Sequence, residues 1–137
     1  MAPKLIHGSS HEDARGTLIY NNDFDALNIK RIYVIENQNT DFVRAWQGHQ
    51  IEQRWYSAIN GSFNIELIAI DDWNRPDKKS ERLAFVLDSE KLDVLHIPVG
   101  YVSSIRSLAA GSKLLVMADY LMGANEDEYR FESGYFE

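Results

Sequence analysis

Apolar side chains in this chain recur at every second position, and that regularity restricts what it can fold into more than any other feature. Ile29–Glu36, Trp55–Ile59, Phe63–Ile70 and Leu83–Leu87 all alternate, which is the period of strands with one buried face. Asp93–Pro98, Tyr101–Leu108 and Lys113–Ala118 read as further short strands. The helical spacing i, i+3, i+4, i+7 finds no convincing run. Parallel strands need long crossovers, usually helices, so the pattern excludes βαβ architectures and leaves an antiparallel sandwich or barrel. Turn signals separate the strands: Asn60-Gly61, Asp71-Asp72, Asn74-Arg75-Pro76, Pro98-Val99-Gly100 and Ala110-Gly111-Ser112. Asn60-Gly61, between two alternating runs, predicts a hairpin, because both residues tolerate positive φ.

At 137 residues the chain is the size of one domain. The reading is a single all-β domain over 1–137, with its core over about 5–134. An antiparallel jelly-roll barrel of roughly eight or more strands fits that length, and such a barrel can hold one small ligand. With 14 basic and 21 acidic side chains the formal charge is −7, which argues against a nucleic-acid binder, since that needs a basic face. A small anion is still admissible where a few arginines gather. The absence of cysteine rules out disulfides, iron–sulfur clusters, thiolate zinc and a cysteine nucleophile. No run of about 18 apolar residues is present and Met1–Lys4 opens no leader-like stretch, so no membrane contact and a cytoplasmic location are expected.

The residues able to carry chemistry cluster in Arg44–Arg54, RAWQGHQIEQR. If Val43–His49 is extended, Gln47 and His49 share one face. His49 carries an imidazole, which with a pKa of about 6.5 can accept and return a proton at neutral pH. Gln47 cannot titrate and can only hydrogen-bond an oxygen. Arg31 and Tyr33, two apart on one strand, share a face. Together with Arg44 and Arg54, Arg31 supplies guanidinium forks that fit anionic oxygens. Tyr33 suits proton donation or a hydrogen bond to a hydroxyl, and Tyr101 suits stacking on a ring. His96 reads as structural, His7 and His11 as exposed, Trp46 and Trp55 as core, and Glu126-Asp127-Glu128 as solvated acids.

Arg44–Arg54, together with Ile97-Pro98-Val99-Gly100-Tyr101-Val102-Ser103, resembles the two signature segments of cupin barrels. Gln47 and Ser103 stand where two of the three cavity histidines would be. A transition-metal site needs about three good ligands, and His49 with Glu52 falls short, so neither a bound metal nor another cofactor is expected. The ordered series Asp13-x-Arg15-Gly16, Ile29-Lys30-Arg31-x-Tyr33, Arg44-x-Trp46-x-Gly48-His49, Gly61-Ser62 and Ile97-Pro98-x-Gly100 is similar to the nucleotide-sugar 3,4-ketoisomerase or WxcM-like family of bacterial surface-polysaccharide (O-antigen) gene clusters. That family is related in fold to deoxysugar 3,5-epimerases, and the similarity runs from about Gly8 to Phe136.

The resemblance implies a homodimer of cupin-type jelly rolls acting on a dTDP-linked 4-keto-6-deoxyhexose, as an isomerase or epimerase that removes a proton next to the ketone. The family carries Arg-Gly-x-His-x-His; here Arg44 matches the arginine, Ala45 replaces the glycine, Gln47 replaces the first histidine and His49 matches the second. The implied site is His49, Gln47 and Tyr33 for catalysis, with Arg31, Arg44, Arg54, Tyr101 and Ser103 for the substrate. The competing reading is an inactive nucleotide-sugar binder that lost activity with the first histidine and partners another enzyme.

Overall fold

A computed structural model describes residues 1–137. Twelve strands follow one another without an α-helix: β1 (Lys4–Ile6), β2 (Ser9–Asp13), β3 (Gly16–Tyr20), β4 (Arg31–Ile35), β5 (Val43–His49), β6 (Arg54–Asn60), β7 (Ser62–Ala69), β8 (Leu83–Asp88), β9 (Val94–Ile97), β10 (Tyr101–Ser107), β11 (Lys113–Ala118) and β12 (Tyr129–Arg130). They form two five-stranded sheets, ordered β1-β9-β6-β11-β4 and β12-β5-β10-β7-β8, with β2 and β3 as a separate hairpin. Every pairing is antiparallel. The all-β reading therefore holds, and the two sheets enclose the interior of a jelly-roll barrel. No helix is long and apolar enough to cross a membrane.

Alternation explains the packing directly. In β7, Phe63, Ile65 and Leu67 are fully buried while Asn64 and Glu66 between them are only half-buried. These three meet Tyr56, Ala58, Leu87, Leu95, Ile97, Ile105, Leu114 and Val116 between the sheets. Each fully buried large side chain stabilises by roughly 1.5–3 kcal/mol, so this apolar end carries the fold. The opposite end is free to be polar. Inward positions along β4 run Arg31, Tyr33, Ile35, and along β6 they run Arg54, Tyr56, Ala58; both change from charged to apolar toward the core.

Trp46 and Trp55 are buried, but beneath covers on the outer faces of the sheets. Trp46 packs with Ile68, Val102 and Phe136, meeting the Phe136 ring edge-on at 5.3 Å. Trp55 packs with Val94 and Met117 under Ile6, Phe24 and Ile29.

The expected hairpin at Asn60-Gly61 is not formed. β6 belongs to one sheet and β7 to the other, so the turn is a corner between sheets. Of the pair only Gly61 has positive φ, at 70°, since no non-glycine residue in the chain does, whereas the two-residue hairpin turn needs it at both positions. A Cβ on Gly61 would lie 2.0 Å from Ser112 Oγ, which is why glycine stands at this corner.

Candidate functional site

The polar end opens as a cleft of about 490 Å³. Arg31 and Tyr33 enter it from β4, Gln47 and His49 from β5, and Arg54 from the start of β6. The loop joining β11 to β12 supplies the remaining wall, from Leu121 to Tyr129. Ala118 is paired with Arg54 on one side and with Arg31 on the other, so the two guanidinium-bearing residues flank the root of this loop. Strands lie about 4.8 Å apart, which sets the two arginines roughly 10 Å apart across three strands.

His49 is the only imidazole in the cleft, and 14% of its side chain is exposed. Its Nδ1 lies 2.8 Å from the main-chain oxygen of Asp127. A carbonyl can only accept, so Nδ1 carries the proton and Nε2 keeps its lone pair. Burial, followed by the charge of Arg54, pushes the His49 pKa below its ordinary value of 6.5, while Asp127 and Glu52 pull weakly the other way. The ring is therefore neutral at pH 7, with a fixed tautomer and a free basic nitrogen.

Asp127 is not the solvated acid that the sequence suggests; it is 4% exposed. Its Oδ1 accepts the Gln50 N–H at 2.8 Å, and its Oδ2 accepts Ile51 N–H at 2.9 Å and Glu52 N–H at 2.7 Å. The turn after β5 exposes backbone donors that no strand neighbour can satisfy, and one carboxylate takes all three. Asp119 does the same for the next residue, accepting Gln53 N–H at 2.8 Å and Gln53 Nε2 at 3.2 Å. Two carboxylates thus fasten both roots of the loop to the turn that ends in Arg54.

Arg54 is 6% exposed. Its Nη1 donates to Glu52 Oε1 at 2.9 Å and to the Gln53 carbonyl at 3.2 Å, while its buried Nε has no partner. Burial works against its charge, but Tyr33 and Glu52 more than offset that and leave its pKa above the ordinary value. Arg31 lies over the Tyr33 ring at 4.6 Å. Behind Tyr33 is an inner chamber of about 30 Å³ bounded also by Tyr56 and Ser103, whose hydroxyls are 2.8 Å apart; burial pushes the Tyr56 phenol up to about 12.

Arg31, Tyr33, Gln47, His49 and Arg54 are thus brought together as the sequence suggests. Gln47 donates its side-chain N–H to Glu128, whose same oxygen also receives Arg130 Nη2 at 3.0 Å. Arg44 and Ser103 border the inner chamber and not the cleft. Arg44 is exposed, with its guanidinium 5.9 Å from the Phe42 ring. Tyr101 packs against the central apolar cluster and lines neither space. His96 stacks on Trp55 at 4.9 Å and has Nε2 2.6 Å from Gln53 Oε1, a structural placement. The loop residues Asp119, Asp127 and Glu128 escape sequence reading, because their partners lie 66 to 81 positions away, and Leu121 and Met122 escape it because nothing in their residue types points to a polar cleft. No three His, Cys, Asp or Glu side chains are arranged to hold a metal ion.

The family described as FdtA, WxcM-like, C-terminal matches residues 1–136, and the chain belongs to it. A 3,4-ketoisomerase from Helicobacter canadensis is similar to it at 25% identity and a TM-score of 0.73, over 99% of this chain and 96% of that one. The 3,4-ketoisomerase QdtA from Thermoanaerobacterium thermosaccharolyticum, in a mutant form complexed with TDP-4-keto-6-deoxyglucose, has a TM-score of 0.72 at 23% identity, over 98% of this chain and 91% of that one. The rmlC epimerase of Mycobacterium tuberculosis shares the fold at a TM-score of 0.76 and 10% identity, over 98% of this chain and 72% of that one. No curated protein sequence matches the chain.

Proposed function

We propose that this protein is a nucleotide-sugar isomerase that moves the ketone of a dTDP-linked 4-keto-6-deoxyhexose by abstracting the neighbouring proton. The observation that carries this reading is the neutral His49 ring, with Nδ1 committed to Asp127 and Nε2 free, beside the buried guanidinium of Arg54. The solved relatives that are 3,4-ketoisomerases support it, one of them holding TDP-4-keto-6-deoxyglucose.

The step balances without any co-reactant. His49 Nε2 takes the C3 hydrogen as a proton, and the C–H electron pair becomes the C3–C4 double bond while O4 takes up the ketone's electrons. Arg54 stabilises that enediolate, with Gln47 beside it as a hydrogen-bonding side chain. O4 is protonated and the O3 hydroxyl gives up its proton, an exchange assigned to the Tyr33 hydroxyl. The double bond then returns its electrons, and C4 takes the proton from the His49 imidazolium. Arg31, nearer the opening, receives the diphosphate. Incubation with TDP-4-keto-6-deoxyglucose in deuterated water should place solvent deuterium at the carbon next to the ketone, read by NMR. A substrate recovered without deuterium and without isomerisation refutes the proposal.

The reading includes a homodimer. The β2–β3 hairpin pairs only with itself and leaves Leu18 61% and Ile19 40% exposed. A lone two-stranded hairpin is marginal in water. The edge strand β4 likewise exposes Ile32 and Val34 at 66% and 50% on its outer side, and open edges are usually covered. Light scattering at micromolar concentration should give twice the 15.8 kDa chain mass. A Leu18→Asp/Ile19→Asp variant should give a monomer. A monomeric wild type contradicts the dimer.

A further inference from the structure

The cleft wall contains two side chains that its polar chemistry does not use. Leu121 and Met122 stand at its rim, 66% and 78% exposed, among arginines, carboxylates and amides. Solvent should favour withdrawing such a pair, yet the loop displays them in a formed turn. Ala124 N–H bonds the Leu121 carbonyl at 3.1 Å, and Gly123 sits at φ +82°, where a side chain would be strained. The roots on either side are the Asp119 and Asp127 clasps, and Asn125 Nδ2 reaches Glu52 Oε2 at 3.4 Å. The apolar tip is held out over the cleft by its own turn and by both roots.

Its place relative to the charges specifies an occupant. Arg54, Ala118 and Arg31 lie in register across three strands, and Leu121 follows Ala118 by three residues. At no more than about 3.6 Å per residue, the pair lies within roughly 15 Å of that row. A nucleoside-diphosphate sugar has the complementary order: a polar sugar, a dianionic bridge, then a flat base with apolar faces. We infer that Leu121 and Met122 are the nucleobase platform of this site, gripping the base while Arg31 and Arg54 hold the groups nearer His49. This rests on the nucleotide-sugar reading and assigns the site's affinity for the nucleoside part to the loop tip.

Calorimetry with thymidine diphosphate and with pyrophosphate, on wild type and a Leu121→Ser/Met122→Ser variant, tests it. Both positions are exposed, so the variant should fold, and scattering should show its oligomeric state unchanged. The expected result is thymidine diphosphate binding weakened about 10–100-fold, the scale of losing the burial of two such side chains, with pyrophosphate binding unaltered. Unchanged thymidine diphosphate affinity, an equal loss for both ligands, or a change of oligomeric state overturns the platform. A wild type that binds neither ligand refutes the nucleotide-sugar reading itself.

Discussion

His49→Asn should lower kcat by about 10²–10⁴-fold, the usual contribution of a general base, and slow solvent deuterium incorporation to the same extent. Its affinity for thymidine diphosphate should stay close to wild type, because the proposed nucleotide contacts lie on Arg31 and the loop. Asparagine can still donate to the Asp127 carbonyl, so the hydrogen bond now made by Nδ1 at 2.8 Å has a replacement and the fold should persist. The pH dependence gives an independent readout. With the His49 pKa held below 6.5 by burial and by Arg54, wild-type kcat/KM should be flat at neutral pH and fall through a midpoint below 6.5, as the base becomes protonated. The residual activity of the variant should lack that acid limb. Stability follows the same sign. The unfolded histidine binds a proton at higher pH than the folded one, so the native state loses stability as pH falls below 6.5; the variant should lose less over that window. Deuterium exchange at the wild-type rate in His49→Asn would remove the imidazole from the mechanism.

The parts of the molecule legible in the sequence are those where one face of a strand is buried and the other is not. Lys113–Ala118 is the expected strand without a shift in boundary, and Phe63–Ile70 differs from β7 by one residue at each end. β2 and β3 gave no such signal, because Ser9–Asp13 is exposed at every position and alternation records burial, not extension. Asn60-Gly61 misleads for a related reason. Turn chemistry specifies that the chain reverses, whereas the sheet that each strand joins depends on distant packing, here the approach of Ser112 to Gly61. In the site, Arg31, Tyr33, Gln47, His49 and Arg54 were visible because strand periodicity puts them on one face. Tyr101 shares that inward face, yet it packs against the apolar cluster, since periodicity orients a side chain but does not say how far along the barrel the polar end reaches. Asp127 was invisible for the opposite reason: its role is set by three backbone donors of a turn 75 to 77 positions earlier.

That dependence makes Asp127 the most consequential residue outside the proposed chemistry. Asp127→Ala should remove the acceptor from Gln50, Ile51 and Glu52 at once. Gln50 and Ile51 are exposed and their N–H groups can turn to water, but Glu52 is 8% exposed, and a buried donor left unpaired costs about 1–3 kcal/mol. Adding the loss of the two partly exposed bonds, the variant should be destabilised by roughly 2–4 kcal/mol, a fall in Tm of about 10 °C for a domain of this size. Activity should fall as well, because the released turn carries Glu52, whose Oε1 holds Arg54 at 2.9 Å, and the released loop carries the carbonyl that orients His49. Asp127→Asn separates these effects. With its amide oxygen in the place of Oδ2 it keeps the Ile51 and Glu52 bonds and loses only Gln50's, so it should recover most of the Tm and most of the kcat, while the acid midpoint of kcat/KM, without the Asp127 charge that raises the His49 pKa, stays below that of wild type. Thermal melts and pH profiles of both variants decide it. If the alanine variant melts with wild type, the clasp is not what holds the loop. If it melts early but keeps the wild-type kcat when assayed well below its Tm, the clasp holds the fold without positioning His49 or Arg54.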